Sequence, residues 1–185
     1  MTEPAFYVEL RALRVDRVLD ASADIIAEEG WDGLSMTAIA KRAGIPRQSL
    51  YKAVGTKEEL GRAVVDREVS RFLATVSAGI AAHPDSVEEG LAAAARGVLE
   101  HGRANAIVGA VLRPSNDAGL LALVTVDPDA VLSRATNSVT SLLGESASEA
   151  MVDTVVRLTT SHLLQPTVDV EKAVDRIRQT IRGFR

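Results

Sequence analysis

Residues 30–60, GWDGLSMTAIAKRAGIPRQSLYKAVGTKEEL, read as two short helices joined by a glycine turn and followed by the capped start of a longer helix. Ser35 stands just before the periodic apolar residues Met36, Ile39 and Ala40, where its hydroxyl can accept from an orphan backbone N–H. The first helix runs to Ala43 and stops at Gly44, a residue that takes the left-handed conformation without steric cost. A turn of three or four residues containing glycine is what two helices need to cross steeply, and Ile45 fills the gap between them. Pro46 fixes φ at the start of the next helix, where its missing N–H costs little. Arg47, Gln48 and Ser49 fall in that helix's first turn, and Leu50 points back into a core. Gly55 ends the helix. Thr56-Lys57-Glu58-Glu59 is a capping box for its successor, with Glu59 reaching back to Thr56.

This arrangement suits duplex DNA, whose major groove admits a helix and whose backbone takes hydrogen-bond donors. On this reading Arg47, Gln48 and Ser49 reach base edges, with Pro46 setting the start of the helix that carries them. Thr37, Tyr51 and Lys52 meet phosphates. Lys57 opposes the dipole of the helix it opens, and an ammonium beside free N–H groups forms an anion site, which adds it to the phosphate contacts. Residues 33–57 hold five basic side chains (Lys41, Arg42, Arg47, Lys52, Lys57) and no acidic one, whereas the whole chain carries −4, so the other residues carry −9. A basic patch on an acidic chain is an electrostatic footprint rather than a composition effect. Lys41 and Arg42 read as a solvated face, and Trp31 as a packing residue.

From Arg17 to about Leu60 the chain resembles the DNA-binding domain of the TetR family of bacterial transcriptional regulators. The resemblance rests on Glu29-Gly30-Trp31, Met36-Thr37, Ile39-Ala40, Ala43-Gly44-Ile45, Leu50-Tyr51 and Lys57-Glu58-Glu59-Leu60, which occur in the family's order and spacing. Where the family has an aromatic pair, this chain has Ala53-Val54, which thins the packing beneath the second helix. The resemblance implies an all-α protein of about nine helices. An N-terminal three-helix helix-turn-helix domain would cover residues 1–55, and a C-terminal helical effector-binding and dimerisation domain residues 56–185. It also implies a homodimer formed by the last two helices, with Met151, Leu158, His162, Val174, Ile177 and Ile181 at the interface. A two-fold dimer would set two recognition helices about 34–36 Å apart on a near-palindromic site.

Composition narrows the alternatives. The 185 residues are 46% hydrophobic but only 3% aromatic, so aliphatic side chains must fill the core. There is no cysteine, which removes disulfides, thiolate metal sites and cysteine catalysis. No apolar run approaches the about 18 residues of a membrane span, and the first twenty residues hold three arginines and no secretory pattern. A cytoplasmic protein is expected. His83, His101 and His162 are scattered without metal-ligand spacing. No glycine-rich phosphate loop or nucleophile elbow occurs, so neither an enzyme nor a metal or other cofactor is expected.

The rest of the chain reads as helix. Val15, Val18, Leu19, Ser22 and Ile26 step along a first helix ending near Gly30, and a long helix from Thr56 to near His83-Pro84 would link the two domains. Ser86-Val87-Glu88-Glu89 is a second capping box. A buried helix is expected over residues 104–112, a break at Arg113-Pro114-Ser115-Asn116-Asp117, and a short apolar segment over 119–126. Three further helices follow, from Asp127-Pro128 to about Gly144, from Ser146 to Gln165 and from Val168 to Phe184. The last carries a stripe of Val170, Ala173, Val174, Ile177 and Ile181. By resemblance the helical domain encloses a ligand pocket, for which His101, Asn105, Asn137, Thr140 and His162 are the polar candidates. Its aliphatic walls point to a small apolar or amphipathic effector that releases a repressor from double-stranded DNA. The competing reading is a helical partner-binding protein with a degenerate helix-turn-helix.

Overall fold

The computed structural model describes residues 5–111 and 128–184, and within them it holds nine α-helices and no strand. These are α1 (Ala5–Gly33), α2 (Met36–Ala43), α3 (Arg47–Val54), α4 (Lys57–Ala81), α5 (Val87–Ala104), α6 (Ala106–Val111), α7 (Pro128–Leu143), α8 (Glu149–Leu164) and α9 (Val170–Arg182), with a 3₁₀ turn at Gly144–Ser146. The break expected at residues 113–117 and the segment 119–126 lie outside the described residues. No helix described is long and apolar enough to cross a membrane. Two compact units divide inside α4: the first takes the described residues up to Arg67 with 109–111, the second Glu68–Val108 with those from 128 onward.

In the first unit the local signals work as read. The helical run of α1 is interrupted at Gly30 (φ 78°, ψ −179°), which leaves a short turn through Gly33. Ser35 Oγ accepts from Ala38 N at 3.1 Å. Gly44 closes α2 in the left-handed region (φ 67°, ψ 34°), where a Cβ would strain the backbone. Thr56 and Glu59 cap one another reciprocally, Thr56 N donating to Glu59 Oε2 at 2.8 Å and Glu59 N to Thr56 Oγ1 at 3.2 Å. Val18, Ile25, Ile26, Leu34, Ile39, Leu50, Leu60 and Val64 are almost wholly removed from solvent. Leu60 and Val64 lie on α4, so its first turns belong to this core. Arg67 fastens them to α1, donating to Asp20 Oδ1 at 2.8 Å.

The second unit is held by α5, which lies against α4 on one side and α9 on another. A Cβ on Gly79 would fall 2.5 Å from the backbone N and 2.6 Å from the Cα of Ala94, so the α4 and α5 backbones are in direct contact there. Toward α9 the ion pairs run Glu88–Arg182, Glu89–Arg178 and Arg96–Glu171, and the inverted order shows that the helices are antiparallel. Glu89 reaches Arg178 at 2.9 Å. Only half of the capping box expected at Ser86 therefore forms, with Ser86 Oγ accepting from Glu89 N at 3.2 Å.

One expectation is corrected. Val174, Ile177 and Ile181 are fully or almost fully buried and Met151 is buried, all within the protomer's own core. Ile177, Ile181 and Met151 pack with Leu91, Ala94, Ala95, Val152 and Val155, and Val174 packs with Ala92, Leu99, Val170 and Ala173. These four are not available to a second copy. A helical stripe records that a face is buried, not which chain buries it. Leu158 and His162 keep part of their surface on α8.

Gly79→Ala must push two backbones apart, and is expected to cost about 1–3 kcal/mol, read as a lower denaturant midpoint at unchanged slope. Acid should weaken the fold in a defined window. The Thr56 backbone N–H holds the Glu59 carboxylate below its usual range, the Lys172 N–H does the same for Asp169, and the Arg96 guanidinium does so for Glu171. Folded-state values below the unfolded ones mean that this stability is complete above the unfolded values of about 4 and is lost as pH falls through the folded ones. Melting temperature is expected to stay level from pH 7 to about 5 and drop below about 4, with a shallower drop in Glu171→Gln.

Candidate nucleic-acid interface

Helix α3 is anchored by one residue. Leu50 is fully buried, while Arg47, Gln48, Ser49, Tyr51, Lys52 and Ala53 are exposed. With about 100° between successive residues, this solvent arc is centred on Gln48 and Lys52, with Arg47 and Tyr51 on one edge and Ser49 and Ala53 on the other. Pro46 is the N-cap, extended at φ −60° and ψ 137°, and supplies no side-chain cap. By contrast α2, α5, α8 and α9 each begin on a serine or aspartate that accepts from a first-turn N–H. The first-turn N–H groups of α3 therefore have no side-chain acceptor at the N-cap, as an anion-binding helix end requires.

The basic side chains are sorted by their partners. Arg42 is tied to Glu28 of α1 at 2.8 Å, and that hydrogen bond raises its pKa. Lys57 is half-buried: its Nζ donates to the Trp31 carbonyl at 2.9 Å and lies 4.6 Å from the Trp31 ring centroid. It thus stitches the end of α1 to the start of α4, a role the sequence reading missed. Arg47 Nη2 donates to Tyr51 Oη at 3.2 Å. Lys41, Lys52 and Thr37 are exposed on the same two helices.

Of the candidate ligand residues, the structure brings His101 and Asn105 together, while no hydrogen bond joins Asn137, Thr140 and His162 among the described residues. Asn105 is saturated. Its Oδ1 accepts from Ile107 N and Val108 N, both at 3.0 Å, and caps α6, while its Nδ2 donates to Glu68 Oε2 at 2.6 Å. His101 Nε2 lies 3.5 Å from the same amide nitrogen, and its ring meets Phe72 edge-on at 4.6 Å. Glu68, only 6% exposed, also accepts from Arg71 at 2.8 Å. Sequence reasoning did not single out Glu68. Its position four residues after Val64 and eight after Leu60, on the buried stripe of α4, was the available signal. Asn137 is exposed and Thr140 half-buried. His162 Nε2 is buried without a hydrogen-bond partner among the described residues.

Residues 18–64 match the family model described as bacterial regulatory proteins, tetR family, and residues 86–182 match the bacterial tetracyclin repressor C-terminal domain. The chain belongs to the TetR family. It is similar to the HTH-type transcriptional regulator AlkX of Mycobacterium tuberculosis, at 26% identity over 176 residues, covering 91% of this chain and 83% of the relative. It is also similar to the HTH-type transcriptional repressor ComR of Escherichia coli, at 32% identity over 77 residues, covering 42% of this chain and 37% of that one. The crystal structure of the TetR family repressor AlkX from Dietzia sp. strain DQ12-45-1b shares the fold, with a TM-score of 0.73 at 23% identity over 91% of this chain and 95% of that one. A TetR-family chain is a helix-turn-helix transcriptional regulator, and α2 and α3 lie within the residues that match the family's regulatory-protein model.

Lys57→Gln is expected to lower stability by about 1–2 kcal/mol and to shift the emission of Trp31, the chain's single tryptophan. Unaltered emission would show that the ammonium does not rest on the ring. Asn105→Ala leaves Glu68 Oε2 without its 2.6 Å donor and should cost about 1–3 kcal/mol in a melting experiment. Asn105→Asp should cost more at neutral pH, because it sets a second carboxylate against the first.

Proposed function

We propose that this chain is a homodimeric repressor that reads a near-palindromic operator through α3 and is released by an apolar or amphipathic small molecule bound in its second helical unit. The observation that carries the DNA half is α3 itself: one buried anchor, six exposed residues around it and an N-terminus without a side-chain cap. Arg47, Gln48 and Ser49 face base edges, with Pro46 at the tip. Thr37, Tyr51 and Lys52 face phosphates, joined by Lys41. Lys57 reaches phosphate only by leaving Trp31, so its part is smaller. The DNA-binding portion is residues 1–55 and the effector-binding portion residues 56–185, whereas the compact units divide after Arg67, inside α4.

The effector half rests on chemistry and on relatives. The second unit's core is aliphatic, drawn from alanine, valine, leucine, isoleucine and one methionine. The Dietzia AlkX is described as implicated in biodegradation of n-alkanes, and a neighbour of TM-score 0.60 from Bacillus halodurans as the fatty acid degradation regulator FadR. For the polar end of an amphipathic ligand, His162 supports the reading best of the five candidates, since its Nε2 lacks a partner. Asn105 is spent on α6 and Glu68. With Val174, Ile177 and Ile181 inside the protomer, Leu158 and His162 of α8 are the members of the expected interface left to meet a second copy. The site of action is the cytoplasm.

Selection from a random duplex pool, followed by affinities across a salt series, tests the DNA half. The expected result is a near-palindromic winner, a steep fall of log K with log[salt] and a preference of about 10³ or more over a scrambled duplex. Arg47→Ala with Gln48→Ala should remove the preference. A flat salt response and no enrichment would sink the reading. For the effector, moving a two-state equilibrium from 1:99 to 99:1 needs about 5.5 kcal/mol of differential binding. At about 0.8 kcal/mol per buried methylene, that asks for about seven methylenes. Release of the operator by linear aliphatic ligands should therefore begin near that chain length, and release by butane-sized compounds as readily as by dodecane-sized ones would contradict it.

A further inference from the structure

We infer that Tyr51 positions Arg47 for base reading: the phenol holds the guanidinium in one orientation on the outer edge of α3, and so sets the protein's discrimination for a guanine. This rests on the reading of α3 as the recognition helix. The two residues stand four apart and share one edge of α3. Arg47 Nη2 donates to Tyr51 Oη at 3.2 Å, and its guanidinium carbon lies 5.6 Å from the ring centroid. The ring is not part of the core. Tyr51 is 44% exposed, and the helix's buried contact is Leu50. An aromatic ring left at the surface with an arginine laid along it is explained by what the pair presents outward.

Hydrogen-bond polarity settles what each group has left. A guanidinium only donates, so the phenol oxygen is the acceptor in this bond, and its own O–H proton must point elsewhere. A phenolic donor directed outward beside Lys52 suits a phosphate oxygen. The second Nη2 proton and those on Nη1 and Nε have no protein acceptor among the described residues; each two-donor edge of a guanidinium includes Nη2, and its remaining proton leaves one planar fork that matches O6 and N7 of guanine. Arg47 opens α3, where a recognition helix meets base edges. Fixing its rotamer before binding means that less side-chain freedom is lost on contact. A fork fixed in direction also fits other bases poorly, which is selectivity rather than affinity alone. Gln48 and Lys52 have no comparable partner among the described residues.

The test uses the full-length protein and its selected operator, competed against every single-base variant. Arg47→Ala should erase the preference for one guanine. Tyr51→Phe keeps the ring but loses the hydroxyl, and should reduce discrimination at that same base pair by about three- to tenfold, leaving the other positions within about twofold. In the Arg47→Ala background, Tyr51→Phe should no longer change discrimination there. Lys52→Ala should weaken all sequences alike and lower the salt slope. The exposure of Tyr51 lets the phenylalanine variant fold, which an unchanged melting temperature would verify. The inference is overturned if Tyr51→Phe weakens every sequence equally, in both backgrounds, since the tyrosine would then be a phosphate contact only. Full specificity retained in Arg47→Ala would overturn the inference and the reading of α3 together, an outcome distinct from the first.

Discussion

An eight-residue helix has little stability of its own in water, because nucleation costs more than two turns of hydrogen bonds return. Helix α3 persists because Leu50 is buried completely beneath it, where the helix packs against α1 and α2. That single anchor decides the rest of the surface. With one residue turned inward, the other side chains of the first two turns are free to face a groove, and none of them is needed to hold the helix down. Gly44 and Pro46 complete the constraint. One ends α2 in a conformation that a Cβ would resist, and the other starts α3 without a side-chain cap. The fold thus delivers a short, rigid, polar helix whose exposed groups carry little structural duty.

The parts of this structure that could be read from sequence are those decided within four residues. The Ser35 cap, the Gly44 stop and the reciprocal Thr56–Glu59 box depend on neighbours along the chain, and each of them forms. Glu89 marks where locality fails. It has the spacing of a capping-box acid, but Arg178, 89 residues away, takes its carboxylate. Lys57 is similar, since its ammonium is claimed by Trp31 from the end of another helix. The α9 stripe is the clearest case. Period 3.6 shows that Val174, Ile177 and Ile181 are buried, yet the identity of the covering helix is a tertiary fact. Glu68 is the reverse case: an acidic residue that the sequence reading did not single out, placed by its register on a buried stripe.

Among the described residues of the second unit, most buried polar side-chain atoms have partners, His162 Nε2 and Arg178 Nε being exceptions. Asn105 spends its oxygen on two α6 N–H groups and a donor on Glu68. The Thr159 hydroxyl turns back on Val155 O at 2.8 Å. Side chains committed in this way specify the local packing but leave little for recognition. Selectivity in such an interior comes mainly from shape and apolar contact, which discriminate weakly per methylene and accumulate with ligand size.

Helix α4 then has a particular status. Its hydrogen bonds run without a break from Lys57 to Ala81, yet its residues are divided between the two units. Leu60, Val64 and Arg67 are committed to one core, while Glu68 and Ile80 are committed to the other. At Gly79 it touches the α5 backbone directly, a contact that cannot be compressed because packed interiors do not deform continuously. At Glu68 it is latched to the junction of α5 and α6 through Asn105. The Glu68–Asn105 hydrogen bond, at 2.6 Å, is thus a polar contact that any movement of the α5–α6 junction relative to this part of α4 must either carry along or break.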